Sequence, residues 1–144
     1  MLAEALLKAN AGGKKVFLIF SASWRGTCRR LTQLLDTQTP VLERHFVFVK
    51  LDIDRDEHAQ SLRDRYPDSK NGGIPWYAVL DTSGKELITS DIAKPTRRFG
   101  STNMGFPTTP REFDHFAKML KHTAPGLAED TVSALLKKAA EKEE

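Results

Sequence analysis

Cysteine is nearly absent from this chain. Its 144 residues include one, Cys28, which excludes any disulfide within the chain and any cysteine-rich zinc site. Long apolar runs are missing as well. The longest is Val16-Phe17-Leu18-Ile19-Phe20, whereas a membrane-spanning helix needs about 20 apolar residues. There is no strong charge of one sign: 22 Lys and Arg oppose 19 Asp and Glu, a net charge of +3 with the histidines neutral. That excess is too mild to point to nucleic acid. Glycine and proline, at 9 and 7 residues, are too few for a collagenous or broadly disordered chain. What remains is a globular composition at a length that favours one domain over 1–144. Such a chain buries roughly two-thirds of its unfolded surface and needs no covalent staple.

The N-terminus has no basic stretch followed by an apolar one. Leu2, Leu6 and Leu7 are interspersed with Glu4 and Lys8, an amphipathic pattern and not a secretory leader. With Met1 as the native start, a cytoplasmic protein is expected. With a leader upstream of this sequence, an exported, periplasmic one is.

Hydrophobic spacing orders the elements. Leu2, Leu6 and Leu7 predict a short helix ended by Gly12-Gly13. Val16 to Phe20 is β-branched and aromatic and reads as a strand buried on both faces. A loop over Ser21 to Gly26 leads to a helix carrying Cys28, Leu31, Leu34 and Leu35, which Pro40 interrupts. Phe46 to Ile53 is a second strand, followed by a helical face of Ala59, Leu62 and Tyr66 and a loop over Pro67 to Gly73. Pro75 to Leu80 and Glu86 to Thr89 flank the turn Asp81-Thr82-Ser83-Gly84 and read as an antiparallel hairpin. Ser90 to Thr108 reads as a long irregular loop, of a length more often functional or partner-facing than idle. Thr109, Pro110 and Glu112 then supply an N-cap, a first-position proline and a capping-box glutamate. The stripe Phe113, Phe116, Met119, Leu120 follows, and a last helix runs from Glu129 to about Ala140. The first two strands are joined by a helical crossover and should be parallel. The expected fold is therefore α/β, a mixed central sheet with helices on both faces and extra C-terminal helices.

Several side-chain groups are weak candidates for chemistry. His45, His58, His115 and His122 show no metal-ligand spacing, so no metal site is expected. Asp52, Asp54, Asp56 and Glu57 lack the glycine and terminal glutamate of a calcium loop and read as a solvated strand exit. Arg29-Arg30 and Arg97-Arg98 lack interleaved aromatics, and no Gly-Lys-Ser/Thr follows Gly72-Gly73, so neither a nucleic-acid platform nor a phosphate loop is indicated.

Two segments carry a resemblance. Strand, Ala22-Ser23-Trp24-Arg25-Gly26-Thr27-Cys28, helix resembles the active-site segment of the thioredoxin family, Trp-Cys-Gly-Pro-Cys. Trp24, Gly26 and Cys28 match; Arg25 replaces the nucleophilic cysteine and Thr27 the proline. Gly73-Ile74-Pro75 resembles the family's cis-proline segment, which folds beside the cysteines. Gly-Ile-Pro-Trp, the long loop, and Gly105-Phe106-Pro107 with Phe113-Asp114-His115-Phe116 and Leu120 look like a bacterial subgroup of single-domain thioredoxin-like proteins. The resemblance covers most of the chain and implies a thioredoxin-like fold with its core over about 14–122.

What it implies about activity is divided, because sites vary on a shared fold. Reduction of a disulfide takes one thiolate to attack and a second thiol to resolve. The attacking position is Arg25, which is no nucleophile. The family's carboxylate on the preceding strand is matched by Ile19, so Cys28 has no evident base. A thiol buried in apolar surroundings is unreactive, whereas a guanidinium one helical turn away favours a thiolate. Both readings of Cys28 stand on the sequence, as an inert buried residue and as a thiol that forms mixed disulfides. Trp24, Gly26, Thr27, Ile74, Pro75 and Trp76 are the implied substrate-binding residues, forming a groove for a protein or peptide partner by strand addition. Trp24 and Trp76 are expected to flank that groove, or else to pack in the core. Three functions follow: a divergent disulfide oxidoreductase with weak or absent reductase activity, a redox-inactive peptide-binding or chaperone-like module, and a single-cysteine peroxidase-like or glutathione-dependent enzyme. None calls for a bound cofactor, a membrane or nucleic acid.

Overall fold

A computed structural model describes residues 2–70, 72–93 and 101–141. Helix α1 (Leu2–Gly12) leads into β1 (Lys15–Ser21), then α2 (Gly26–Asp36), α3 (Thr39–Leu42), β2 (Phe46–Asp52) and α4 (Ala59–Arg65). After a 3-10 turn over Pro67–Lys70 come β3 (Trp76–Leu80), β4 (Glu86–Thr89), β5 (Asp91–Ala93), β6 (Ser101–Asn103), α5 (Pro110–Thr123) and α6 (Glu129–Ala139).

Four strands form a mixed sheet in the order β2-β1-β3-β4. β1 and β2 are parallel, with Ile19 opposite Lys50; β1 and β3 are antiparallel, with Phe20 opposite Trp76. β3 and β4 are antiparallel too, with a register irregularity at Val79/Leu80. The two-residue period of a strand sends alternate side chains to opposite faces. Phe17, Ile19, Tyr77 and Val79 therefore join one core with Leu31, Leu34 and Leu35 of α2, Phe116 and Leu120 of α5, and Leu135 of α6. Val16, Leu18, Phe20, Trp76, Ala78 and Leu80 join the other with Leu2, Ala5 and Ala9 of α1, Ala59 and Tyr66. Helices thus cover both faces, as expected for two-sided apolar strands.

Two expectations need correction. Ser90 to Thr108 is not irregular throughout. β5 and β6 pair antiparallel in a separate two-stranded ribbon, with Asp91 opposite Asn103 and Ile92 opposite Thr102. Three residues per strand are too few for alternation to reveal them. Residues 94–100 of that expected loop, with Arg97 and Arg98, lie outside the described residues. The second correction concerns the start of α5. Thr109 caps it as expected, its hydroxyl accepting the Glu112 N–H at 3.2 Å. Glu112, however, reaches back to the N–H and hydroxyl of Thr108, at 2.8 and 3.1 Å, one residue before the cap. Among the described residues no helix is long and apolar enough to cross a membrane.

Candidate functional site

The sheet brings two loop ends together. β1 exits into Ala22–Arg25 and turns into α2, while the loop before β3 carries Gly72–Pro75 alongside. Ala22, Cys28 and Ile74 form one small buried cluster, with Ile53 packed against it. The Trp24–Cys28 corner and the Ile74–Pro75 segment are therefore in contact, and the Ile74–Pro75 peptide bond is cis.

At the first corner, Arg25 is the N-cap residue of α2, in extended conformation and with no side-chain cap hydrogen bond. Its guanidinium carbon lies 5.8 Å from the centroid of the Trp24 ring, within cation–π reach. Trp24 is 64% exposed. It is nevertheless held, because its indole N–H donates to Asp54 Oδ2 at 2.5 Å. Asp52 accepts the N–H groups of Asp54 and Arg55 on one carboxylate oxygen and that of Ser23 on the other, at 2.9, 3.2 and 3.3 Å. The Asp54 N–H is the main reason the Asp52 carboxyl titrates below its ordinary range. Asp56 accepts the Asp52 N–H at 2.7 Å. The acids after β2 were expected to be merely solvated. Three of them instead organise the loop that presents Trp24.

Cys28 sits in the first turn of α2 and is 3% exposed. Its sulfur accepts the Ala22 N–H at 3.5 Å. Burial pushes the thiol pKa up, and this outweighs the Ala22 N–H and the charges of Arg25 and Lys50, all of which pull it down. The two side chains do not share an environment: Arg25 is stacked outside on Trp24, and Cys28 points inward. Ile19, where the resemblance implies a carboxylate, is buried in the apolar core. A hollow of about 250 Å³ is lined by Cys28 with Ser21, Ser23, Arg29, Thr32 and Lys50. Gly26 and Thr27 are exposed at the start of α2. Among the described residues no group of three or more His, Cys, Asp or Glu is placed to hold a metal ion.

At the second corner, Ile74 and Pro75 are buried. Trp76 is fully buried as well, and the expectation that it flanks a surface groove is corrected. As the first residue of β3 its side chain falls on the α1 face. There it stacks on Phe20 at 5.9 Å, and its indole N–H donates to Asp91 Oδ2 at 3.1 Å. Among the described residues Trp24 alone supplies an exposed aromatic surface here.

Asn103 of β6 was not singled out by sequence reasoning. Its side-chain NH2 donates to the carbonyls of Gly73 and Pro75, both at 2.8 Å. No local pattern could have found it, since its partners lie 30 and 28 residues away. Asp54 was seen only as part of an acidic cluster.

A helix that starts beside a buried cysteine, packed against a cis-proline that opens the neighbouring antiparallel strand, defines a thioredoxin fold. The chain belongs to the thioredoxin-like family, whose family model matches residues 1–82. Among solved structures, the disulphide isomerase from Xylella fastidiosa Temecula1 is similar at 22% identity and a TM-score of 0.57, over 97% of this chain and 88% of that one. Poplar thioredoxin h is 22% identical with a TM-score of 0.47, over 61% of this chain and 72% of that one. Fasciola hepatica thioredoxin is 24% identical with a TM-score of 0.46, over 61% and 78%. No curated protein matches the chain. The fold is thioredoxin-like, on a chain with a single cysteine.

Proposed function

We propose that this protein is a docking member of the thioredoxin-like family that binds an extended polypeptide at the Trp24/Ile74–Pro75 corner and has little or no disulfide-reductase activity of its own. The observation that carries the reading is the pairing of an intact docking corner with an incomplete redox site. Trp24 is exposed and anchored, and Ile74 packs against the first turn of α2. Arg25 meanwhile stands at the attacking position above a buried thiol whose pKa is raised. A guanidinium cannot attack sulfur, and the one remaining thiol has no partner in the chain with which to complete a cycle.

The partner is a protein or peptide segment in extended conformation. Main-chain hydrogen bonds would supply affinity, and apolar side chains against Trp24 would supply selectivity. The test uses S-carboxymethylated insulin B chain as probe. Binding should be measurable for the parent chain, unchanged within about twofold in Cys28→Ala, and weakened about tenfold in Trp24→Ala, which removes a large aromatic contact. Binding that is lost in Cys28→Ala, or absent in the parent, overturns the reading.

One observation favours a second reading, mixed-disulfide formation through Cys28: the hollow beside the sulfur carries Arg29 and Lys50, and Lys50 pulls the thiol pKa down. A thiol-bearing partner trapped covalently on the native chain, and released by reductant, would favour it over the first. Peroxidase-like chemistry has less support, because it needs a thiolate and burial works against one.

A further inference from the structure

We propose that Asn103 is a positioning residue for the docking corner: it fixes the Gly73 and Pro75 carbonyls and thereby turns the Ile74 N–H outward, toward a guest strand. This inference rests on the docking reading above.

A side-chain amide has two N–H donors and an oxygen with two lone pairs. Every one of these is used. Nδ2 donates to Gly73 O and Pro75 O, both at 2.8 Å, while Oδ1 accepts from Ser90 Oγ at 2.7 Å and from Gly105 N–H at 3.0 Å. Carbonyls can only accept, so the amide has one orientation; a flip would set oxygen against both of them. Asn103 is 9% exposed and Ser90 fully buried, and a buried network satisfied in this way is rigid. Ser90 ties it to the sheet: its hydroxyl accepts the Tyr77 N–H at 3.0 Å, and its own N–H donates to Tyr77 O at 2.7 Å.

The consequence for Ile74 follows from peptide geometry. The Gly73–Ile74 bond is trans, and a trans peptide sets its N–H opposite its C=O. Holding Gly73 O against Asn103 therefore points the Ile74 N–H away from Asn103. Among the described residues neither the N–H nor the C=O of Ile74 has a hydrogen-bond partner. On this proposal both serve an incoming chain, with Ile74 7% exposed in its absence. Gly72 gives independent evidence that β6 is built against this loop. Its φ is +84°, and a Cβ there would lie 2.7 Å from Thr102 Oγ1 and 3.1 Å from Asn103 N. Asn103 also lies beyond residues 1–82, the stretch the family model covers. The ribbon pairs outside the four-stranded sheet and supports the corner from there.

The test measures the dissociation constant for S-carboxymethylated insulin B chain and the amide cross-peak of Ile74. It compares the parent, Asn103→Ala, Asn103→Asp and Ser90→Ala with Leu135→Ala, which destabilises the distant α6 core. Asn103→Ala and Asn103→Asp should weaken binding about tenfold or more at temperatures where both remain folded, and should move the Ile74 cross-peak. Ser90→Ala removes one of the four bonds that hold the amide and should cost about threefold. Leu135→Ala should lower the melting temperature while leaving affinity and cross-peak in place. Parent binding with unchanged affinity in a folded Asn103→Ala overturns the positioning role and leaves docking standing. No binding by the parent overturns docking and the positioning role with it. Should Asn103→Ala fail to fold, an unchanged affinity in Ser90→Ala overturns the role just as well.

Discussion

The two corners that meet at Cys28 are built in opposite ways. The cysteine corner is open: Trp24, Arg25, Gly26 and Thr27 are exposed, and carboxylates on the rim of β2 hold the loop. The proline corner is closed: Ile74, Pro75 and Trp76 are buried, and a saturated amide network holds their loop. Exposed polar contacts contribute little to stability, while buried satisfied ones rigidify. The proline corner is therefore the rigid part of the proposed docking site, while Arg25, at the attacking position, lies where substitution costs the fold little. Arg25 could replace a cysteine there without disturbing the core.

The two tryptophans break or sharpen this contrast most strongly. Trp76→Ala should cost about 3–5 kcal/mol, since a fully buried ring leaves a large cavity. Trp24→Ala should stay within about 0.5 kcal/mol, as exposed substitutions do, although it weakens peptide binding. Urea denaturation of both variants checks this, and equal losses would erase the distinction between corners. Next comes Gly72→Ala, expected to cost about 1–3 kcal/mol in the same assay, because the positive φ and the close approach of β6 both oppose a side chain. Gly26→Ala at the cysteine corner should cost far less, since the nearest atom to its Cβ is Arg29 Nη2, at 3.8 Å.

A gain of function is of middling size. Arg25→Cys returns an attacking thiol to the start of α2, where the helix N-terminus favours a thiolate. Insulin reduction should rise about tenfold over background, about 1.4 kcal/mol in barrier, and further with Thr27→Pro. A folded double variant with no activity would trace the loss beyond the nucleophile, to Ile19 in place of a carboxylate.

The smallest effects are in pH. The Asp52 pKa is lowered chiefly by the Asp54 N–H, so its contribution is present above its ordinary value of about 4 and lost as pH falls through the folded one. The Asp91 pKa is raised chiefly by burial, against hydrogen bonds from Trp76 and Thr89 that lower it. Its contribution is greatest below about pH 4 and is lost as pH rises through the folded value. Thermal melts across pH 3–7 should therefore change in opposite senses: Asp52→Asn flattens the acid-side fall, and Asp91→Asn deepens it.

Much of the fold was legible in sequence because apolar strands advertise themselves. Val16 to Phe20 and Phe46 to Ile53 needed no context to be read as strands. Thr109-Pro110 marked the start of α5, and Gly73-Ile74-Pro75 marked the proline segment. What stayed hidden was non-local. Trp24 and Trp76 look alike in sequence, but Trp24 falls in the turn after β1 and reaches solvent, whereas alternation along β3 sends Trp76 beneath the sheet. The β5–β6 ribbon is too short to show a period. Asn103 is an ordinary asparagine until Gly73 and Pro75 are folded beside it. Asp54 looked like solvated charge because its partner, Trp24, lies 30 residues upstream.

Titration of the one thiol on the native chain, with an aromatic disulfide reagent, bears most directly on the claim that docking here has outlived redox chemistry. Cys28 should release no chromophore until denaturant opens the molecule, and one equivalent thereafter. Stoichiometric release from the folded protein within minutes would contradict the account.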